Sequence, residues 1–206
     1  MIVKRLGITE YVAAYDAMRR FTEARDAATP DELWLTEHPP VYTVGVAGRE
    51  AHFPRADAGV GALPVVRTDR GGQITYHGPG QAIVYVLLDL SRMRVSVRAL
   101  VALLEEAVIE VLAGYNVLAM RQPGAPGVYI DGAKIAALGL RVRRGCCYHG
   151  LAFNVDMDLS PFHAIDPCGY PGLKVTQLRE LGIAEGVGTA SAKLARAVVQ
   201  RLDARA

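Results

Sequence analysis

Cys168 has the sequence setting of a reactive thiol. It lies in the turn-forming segment 166–172, where Pro-Cys-Gly predicts a stiff loop with little side-chain cover. A cysteine attacks other molecules as its thiolate, and a nearby cation or base promotes that form. Lys134 and His149 are the candidates for this role. These residue types together indicate nucleophilic catalysis.

Lys134 begins the predicted strand 134–143. Every second residue further along this strand is apolar and forms one face: Leu138, Leu140 and Val142. If the strand is regular, Lys134 shares that buried face, and burial favours the neutral amine that can act as a base. A bulge at Gly139 would break this alternation. The alternative, which the segment alone favours, is that Lys134 lies at the strand end and extends its amine to solvent.

His149 lies in a second predicted strand, 148–155. Strict alternation puts it on the same face as three apolar residues, Leu151, Phe153 and Val155. A single histidine on an apolar face is most often a hydrogen-bonded core residue. The alternative is that His149 orients a substrate.

A metal site is a further alternative for the cysteines and histidines. Cys146 or Cys147, with His149, His163 and Cys168, would supply the ligand types that zinc prefers. No paired Cys-x-x-Cys spacing occurs in the sequence, however, so we predict no metal. Cys146 and Cys147 are interpreted as small strand residues.

The segment 70–81 surrounds a short predicted strand, 73–77, with four glycines and a proline. Alternation puts three polar residues on one face, Gln73, Thr75 and His77, while Ile74 and Tyr76 face the other way. Glycines on both sides of a polar strand allow a ligand to approach the backbone closely. A tight hairpin with solvated polar residues is equally compatible. Neither the dinucleotide fingerprint nor the P-loop pattern fits this segment.

Short strands and a few helices would position these residues. An apolar stripe predicts a helix at 97–112 between Ser96 as N-cap and Gly114 as stop, with Glu105, Glu106 and Glu110 off the stripe. Two further helices are expected after Thr9 and around 194–202. Strands are predicted at 33–36, 41–46, 65–68, 73–77, 82–88, 128–131, 134–143 and 148–155. This order indicates an α+β fold with a mixed or mostly antiparallel sheet in a single domain, 1–206. The segment 82–88 is apolar on both faces, which predicts a central strand.

The composition disfavours several classes of function. The 206 residues carry 23 Lys and Arg against 21 Asp and Glu, and a net charge of +2 gives no basis for nucleic-acid binding. Three cysteines are too few for a disulfide framework and fit a reducing compartment. We find no membrane-spanning run and no signal peptide, so we expect a cytoplasmic chain without a membrane partner. Six arginines predict a solvated face or a surface that docks an acidic protein: Arg92, Arg94, Arg98, Arg141, Arg143 and Arg144.

Four of these segments together resemble the signatures of the lipoyl(octanoyl) transferase family. They are RGGQITYHGPGQ at 70–81, GAKIAALG at 132–139, HGLAFN at 149–154 and PCG at 167–169. EHPPVYTVG at 37–45 and KVTQL at 174–178 agree in kind and order. Four motifs in the right order make a chance resemblance implausible.

The resemblance implies an α+β fold with a mixed sheet and flanking helices, similar to the catalytic domain of lipoate and biotin protein ligases. It implies transfer of an octanoyl group from acyl carrier protein to a specific lysine of apo lipoyl domains, including those of 2-oxoacid dehydrogenases and the glycine cleavage H protein. By motif position, Cys168 holds the octanoyl thioester, and Lys134 lowers the pKa of that thiol and acts as general acid and base. Neither ATP nor a metal is implied.

The resemblance also places the substrate site. Its residues are Arg70, Gly71, Gly72, Gln73, Ile74, Thr75, Tyr76 and His77, then Ala137, Leu138 and Gly139, then His149, Gly150, Leu151 and Ala152. We expect Leu138, Leu140, Leu151 and Phe153 to hold the acyl chain, and backbone amides near Leu138 and Gly139 to stabilise an oxyanion. Two alternatives remain: an ATP-dependent lipoate ligase of the same fold, and a non-catalytic module that binds an acylated or lipoylated domain.

Overall fold

A large mixed sheet forms the centre of the computed structural model, which describes residues 1–54, 62–166 and 172–204. Its strands are β1 (Ile2–Ile8), β2 (Glu32–Glu37), β6 (Gln81–Asp89), β7 (Met120–Gln122), β8 (Ala125–Ile130), β9 (Ala133–Arg143) and β10 (Cys146–Asn154). Their order in the sheet is β1-β2-β6-β10-β9-β8-β7. β1 and β2 are parallel and the other neighbours are antiparallel, which confirms the predicted mixed sheet.

A second sheet holds the glycine-rich segment. It contains β3 (Val41–Val44), β4 (Val65–Arg67) and β5 (Ile74–His77), in the order β4-β3-β5. Tyr42, Ile74 and Tyr76 form a core with Phe162, which lies in the 3-10 helix Ser160–Ala164. The loop before β5 reaches the large sheet, because the Gly71 N–H donates to the main chain of β9 at 2.9 Å.

β6 is buried on both faces, as the sequence predicted. The helices are α1 (Tyr11–Glu23), α2 (Leu90–Met93), α3 (Val97–Ala113) and α4 (Val187–Asp203). The even-numbered residues of β6, such as Val84, face a core that α3 and α4 cover. Ile83, Tyr85 and Leu87 face a second core, which α1 covers. The large sheet therefore lies between two helical layers.

Among the helices, α3 agrees closely with its predicted bounds, whereas α4 begins at Val187, well before the predicted segment 194–202. α3 begins after Ser96, whose Oγ accepts a hydrogen bond from the Ala99 N–H at 3.2 Å. The sequence missed β1, β7 and α2. Every residue of β1 is exposed, so burial imposes no alternating pattern on it. β7 and α2 are too short to show a period.

The surface carries the six arginines named above, all of them exposed. Two of them form ion pairs: Arg92 with Asp31 at 2.8 Å and Arg143 with Glu23 at 2.5 Å. The solvated face is confirmed, and docking of an acidic protein stays a prediction. Across the described ranges, no helix has the length and apolar character needed to cross a membrane.

Candidate active site

A mostly apolar cleft opens between the 70–77 segment and strands β9 and β10. It contains about 510 Å³ of empty space, part of which is open to solvent. All of the residues that the resemblance assigned to the substrate site line this cleft, except Gly71 and Tyr76. Of the four residues expected to hold the acyl chain, Leu138 and Leu151 line the cleft, whereas Leu140 and Phe153 do not. Tyr11, Ile83 and Tyr85 line it as well, and the sequence had not assigned them to the site. The mostly apolar lining suits a small apolar group.

The two exceptions have structural explanations. The ring of Tyr76 points into the core of the second sheet, on the face that alternation gave it with Ile74. Gly71 contributes its backbone, because its N–H donates to the Leu140 carbonyl and fixes the loop to β9. Both residues therefore support the cleft through packing or backbone hydrogen bonding without lining it.

Arg70 orders the rim of the cleft. Its guanidinium donates to the carbonyls of Thr43 and Gln73, each at 2.6 Å, and to that of Gly71 at 2.9 Å. The residue is buried, so these charge-assisted bonds act with little competition from water. Arg70 thus holds the loop in one shape.

β9 and the loop touch at Gly139. A Cβ atom on Gly139 would lie 2.9 Å from the Gly71 carbonyl oxygen and 3.2 Å from Arg70 Cδ. Close-packed interiors leave no room for such an atom. The glycine therefore permits the contact that closes one end of the cleft.

His149 lies on the opposite side of β10 from the predicted one. Leu151 points into the core under α3 and α4, whereas the His149 ring stacks on Tyr15 of α1, with 5.4 Å between centroids. The cause is the left-handed backbone at His149, with φ of 64°, which interrupts the alternation of the strand. The prediction that His149 shares the face of Leu151, Phe153 and Val155 is wrong for this reason.

Asp69 fixes the His149 ring. His149 Nε2 donates to Asp69 Oδ1 at 3.0 Å, and the Tyr148 hydroxyl donates to the other carboxylate oxygen. Burial alone would raise the pKa of Asp69, but hydrogen bonds from His149, Tyr148 and Tyr15 lower it far below its usual range. The predicted hydrogen-bonded core role of His149 is confirmed.

His149 also presents an acceptor beside the cleft. Burial lowers the pKa of His149, so the ring is neutral and carries its proton on Nε2, toward Asp69. Nδ1 is then an acceptor, and no other described residue bonds to it. Orientation of a substrate by this atom stays a prediction.

Two further histidines are buried at the cleft: His77 lines it, and His38 contacts Tyr85, which lines it as well. The His38 Nδ1–H donates to the Thr9 carbonyl at 2.7 Å, so Nε2 accepts from the Tyr85 hydroxyl at 2.6 Å. His77 Nδ1 contacts Gln81 Oε1 at 2.7 Å. Burial lowers the pKa of both rings, that of His77 to about 3. All three histidines are therefore neutral at pH 7.

Acidification is expected to destabilise the fold between about pH 7 and pH 5. An unfolded histidine gains a proton near its ordinary pKa of 6.5, whereas buried His77 stays neutral to far lower pH. The unfolded state then binds more protons, so the free energy of unfolding falls as pH falls, by about 1.4 kcal/mol per pH unit for each such histidine once the pH is well below that value. Urea unfolding across this range measures the slope. His77→Gln should lower this slope by about the contribution of one proton. An unchanged slope would contradict the conclusion that buried His77 stays neutral in the folded protein.

Lys134 is buried beside the cleft. It is 4% exposed, its Nζ donates to the Pro126 carbonyl at 3.2 Å, and it lies 5.1 Å from the centroid of the Tyr129 ring. A smaller hollow lined by Lys134 shares Thr75 and Ala137 with the cleft. Lys134 is therefore buried, and the interpretation that the segment alone favoured, an amine extended to solvent, is wrong.

The backbone reaches this arrangement through an irregular strand. Two consecutive residues of β8 pair with Lys134 and Ala136, so Ile135 has no partner on β8. Pairing between β9 and β10 continues through Gly139 without a shift, so the bulge considered there is absent from this described strand. The segment 174–176 flanks Lys134 with main-chain hydrogen bonds of 2.8 and 3.0 Å. The burial of Lys134 therefore depends on the bulge and this flanking segment, as well as on alternation.

Cys168 lies outside the described residues, as does the PCG motif that contains it. Cys146 and Cys147 are buried in β10, as predicted for small strand residues. Burial raises the pKa of both thiols, that of Cys147 to about 12, which makes them weak nucleophiles at neutral pH.

Among the described residues, no three histidine, cysteine or acidic side chains are grouped as metal ligands.

The fold matches that of solved ligase structures. Lipoate-protein ligase A bound with ATP aligns with a TM-score of 0.76 at 16% identity, covering 98% of this chain and 86% of that one. A biotin protein ligase from Aquifex aeolicus, in complex with biotin and ATP, aligns with a TM-score of 0.58 at 13% identity, covering 98% and 69%. The predicted fold class, that of lipoate and biotin ligase catalytic domains, is confirmed.

Sequence comparison identifies the family within this fold class. Residues 10–200 match the lipoyl protein ligase A/B catalytic domain. An octanoyltransferase from Nitrosomonas europaea is 57% identical over 202 residues, which cover 97% of this chain and 96% of the relative. Another from Thiobacillus denitrificans is 61% identical over 183 residues, covering 89% and 82%. The chain belongs to the lipoyl protein ligase A/B catalytic domain family, in agreement with the resemblance of its four motifs.

Proposed function

We propose that this chain is an octanoyltransferase of lipoate synthesis, which passes an octanoyl group from acyl carrier protein to a lysine of apo lipoyl domains through a thioester on Cys168. The observation that carries the mechanism is Lys134, an amine buried next to a mostly apolar cleft. The identity to relatives named octanoyltransferase supports the substrate. The glycine cleavage H protein and the lipoyl domains of 2-oxoacid dehydrogenases are the proposed acceptors.

The first half-reaction loads the enzyme. Neutral Lys134 takes the proton of the Cys168 thiol, and the thiolate attacks the carbonyl carbon of the carrier thioester. When the tetrahedral intermediate collapses, the bond to the carrier sulfur breaks, and the Lys134 ammonium returns the proton to that sulfur. One thioester replaces another, so the step is nearly isoenergetic and needs no ATP.

The main chain of β9 offers a donor for the oxyanion. The Leu140 carbonyl accepts from Gly71 across the open edge of β9, and the polar groups of a strand residue point to one side. The Leu138 N–H, two residues earlier in β9, points to the same open side as the Leu140 carbonyl. The N–H of Gly139 points the other way, toward β10. The N–H of Leu138 is therefore the better oxyanion donor of the two residues that the sequence suggested.

The second half-reaction unloads the enzyme. Lys134 removes a proton from the incoming lysine of the lipoyl domain, whose amine attacks the Cys168 thioester. The C–S bond breaks, an amide forms, and the Cys168 thiolate recovers the proton from Lys134. Amide formation from a thioester is downhill, which drives transfer without a cofactor.

Intact mass measurement of the purified chain with octanoyl-acyl carrier protein, in the absence of ATP, tests this proposal. We expect an octanoyl adduct that hydroxylamine removes, that peptide mapping places on Cys168, and that apo lipoyl domain discharges. Absence of an adduct, or an adduct confined to Cys146 or Cys147, would overturn the mechanism. Transfer that requires ATP and free octanoate would favour a ligase. Stable lipoyl-domain binding without turnover, unaffected by loss of Cys168, would favour a binding module.

A Gly139→Ala variant is expected to load octanoyl groups about tenfold more slowly, or worse. The added Cβ would press on the Gly71 carbonyl and on Arg70, which displaces the loop that closes the cleft. Single-turnover acylation, followed by mass, measures this loss. Gly188→Ala in α4 is the matched control, since a Cβ there meets no atom within 4 Å. Equal rates in the two variants would contradict the proposed contact.

A further inference from the structure

α3 carries a carboxylate into the interior of the protein. Glu105 is only 7% exposed and lies between the fully buried Leu104 and Ala107. Burial of a carboxylate is costly unless it is hydrogen-bonded or paired. Glu106 and Glu110 of the same helix form ion pairs with arginines nearer the surface, so the inward position of Glu105 needs its own explanation.

The partner of Glu105 is a peptide unit next to Lys134. Glu105 Oε1 accepts a hydrogen bond from the Gly127 N–H at 2.9 Å. The carbonyl of the same peptide unit, that of Pro126, accepts from Lys134 Nζ at 3.2 Å. One rigid peptide plane is therefore hydrogen-bonded to the carboxylate at its N–H end and to the amine at its oxygen end.

This geometry couples the two charges. Hydrogen bonds arranged in a chain polarise one another, and an anionic acceptor at the N–H end increases the negative charge on the carbonyl oxygen. The Pro126 oxygen becomes a stronger acceptor, which favours the ammonium form of Lys134 and fixes its position.

Gly127 makes this close approach sterically permissible. Its φ is +140°, a region that L side chains rarely adopt. A Cβ there would lie 2.7 Å from the Ala136 carbonyl oxygen and 3.0 Å from Lys134 Cε. Any side chain at this position would push Lys134 away from the peptide unit that Glu105 holds.

We propose that Glu105 is a positioning residue for Lys134, which acts through the Pro126–Gly127 peptide unit to hold the amine beside the cleft and to set the balance between its ammonium and neutral forms. The proposal rests on the proposed role of Lys134 as acid and base. Other titratable groups on the elements around Lys134 include Tyr129, Lys174, Glu180, His163, Asp166 and His77. They are unchanged in the two Glu105 variants, so a change in pH dependence between those variants and the wild type reports on Glu105.

Glu105→Gln is the decisive variant, because it keeps the size and the acceptor oxygen but removes the charge. We expect it to fold normally and to move the rising limb of the pH profile for single-turnover acylation to lower pH by about half a unit or more, since the ammonium form of Lys134 loses support. Glu105→Leu removes the hydrogen bond as well and should slow acylation about tenfold or more. A wild-type rate and pH profile in Glu105→Gln would overturn the inference, whatever Glu105→Leu does.

Val111→Ala is the matched control for a merely structural effect. It truncates another buried side chain of α3 and should lower stability without moving the pH profile. Lys134→Met tests the acid–base role of Lys134 separately from the positioning role of Glu105. If that variant acylates normally, the acid–base role of Lys134 is wrong. If Lys134→Met is slow but Glu105→Gln matches the wild type, only the role of Glu105 is wrong.

Discussion

A Cys168→Ala variant is expected to take up no octanoyl group from octanoyl-acyl carrier protein and to lose roughly three orders of magnitude of turnover or more. The proposed reaction passes the acyl group through a bond to the Cys168 sulfur, and alanine offers no nucleophile in its place. Intact mass after mixing with the donor measures the first effect. Transfer to an apo lipoyl domain measures the second.

The other two cysteines provide the controls for this experiment. Cys147 Sγ donates to the Val86 carbonyl at 3.4 Å inside the sheet, and burial raises the pKa of both thiols. Cys146→Ala should therefore keep near wild-type turnover, and Cys147→Ala should do so while it is folded. Full turnover in Cys168→Ala, or loss of the adduct in Cys146→Ala, would show that Cys168 is not the acyl carrier.

Most of the residues that line the cleft lie in the motifs that carry the family resemblance, whereas Tyr11, Ile83 and Tyr85 lie outside those motifs and were not assigned to the site. Glycines such as Gly139 and Gly71 are placed where two backbones touch, and a sequence shows that requirement directly. β6 could be predicted for a similar reason, since a strand covered on both faces is apolar at successive positions. Motif order then joined these segments into one site.

The face of His149 could not be predicted from alternation. Its left-handed backbone is supported by contacts with Asp69 and Tyr15, which are distant in sequence. Strain of this kind persists only where surrounding contacts hold it, and those contacts exist only in the folded chain. The unpaired position of Ile135 in β9 is likewise a property of pairing with β8.

Glu105 and β1 show two other limits of the sequence. A glutamate off an apolar stripe predicts exposure, but the interior peptide N–H of Gly127 gives its carboxylate a partner. β1 is held by backbone pairing to β2 while its side chains are exposed, so no apolar pattern marks it. In both cases the stabilising hydrogen bonds come from backbone groups, which the pattern of side chains in a sequence does not reveal.

Lys134→Met is expected to slow both half-reactions by about two to four orders of magnitude. Methionine fills similar space in the hollow beside Thr75 and Ala137, so the change removes the amine while keeping the packing. The proposed mechanism then lacks its base for the Cys168 proton in the first step and for the incoming lysine in the second. Acylation by octanoyl-acyl carrier protein and discharge by apo lipoyl domain, each in a single turnover, measure the steps separately.

The pH dependence of the residual acylation rate of Lys134→Met should also show that the base is missing. Thiolate must then form by direct loss of a proton to water, so acylation should rise with pH through the ordinary thiol range of about 8.5. Lys174→Met is the matched control: its side chain is exposed, and its described contact with Lys134 is made by the backbone carbonyl, which the substitution keeps, so wild-type behaviour is expected. If Lys134→Met keeps the wild-type rate, or loses only one half-reaction, a single acid–base residue does not serve both steps.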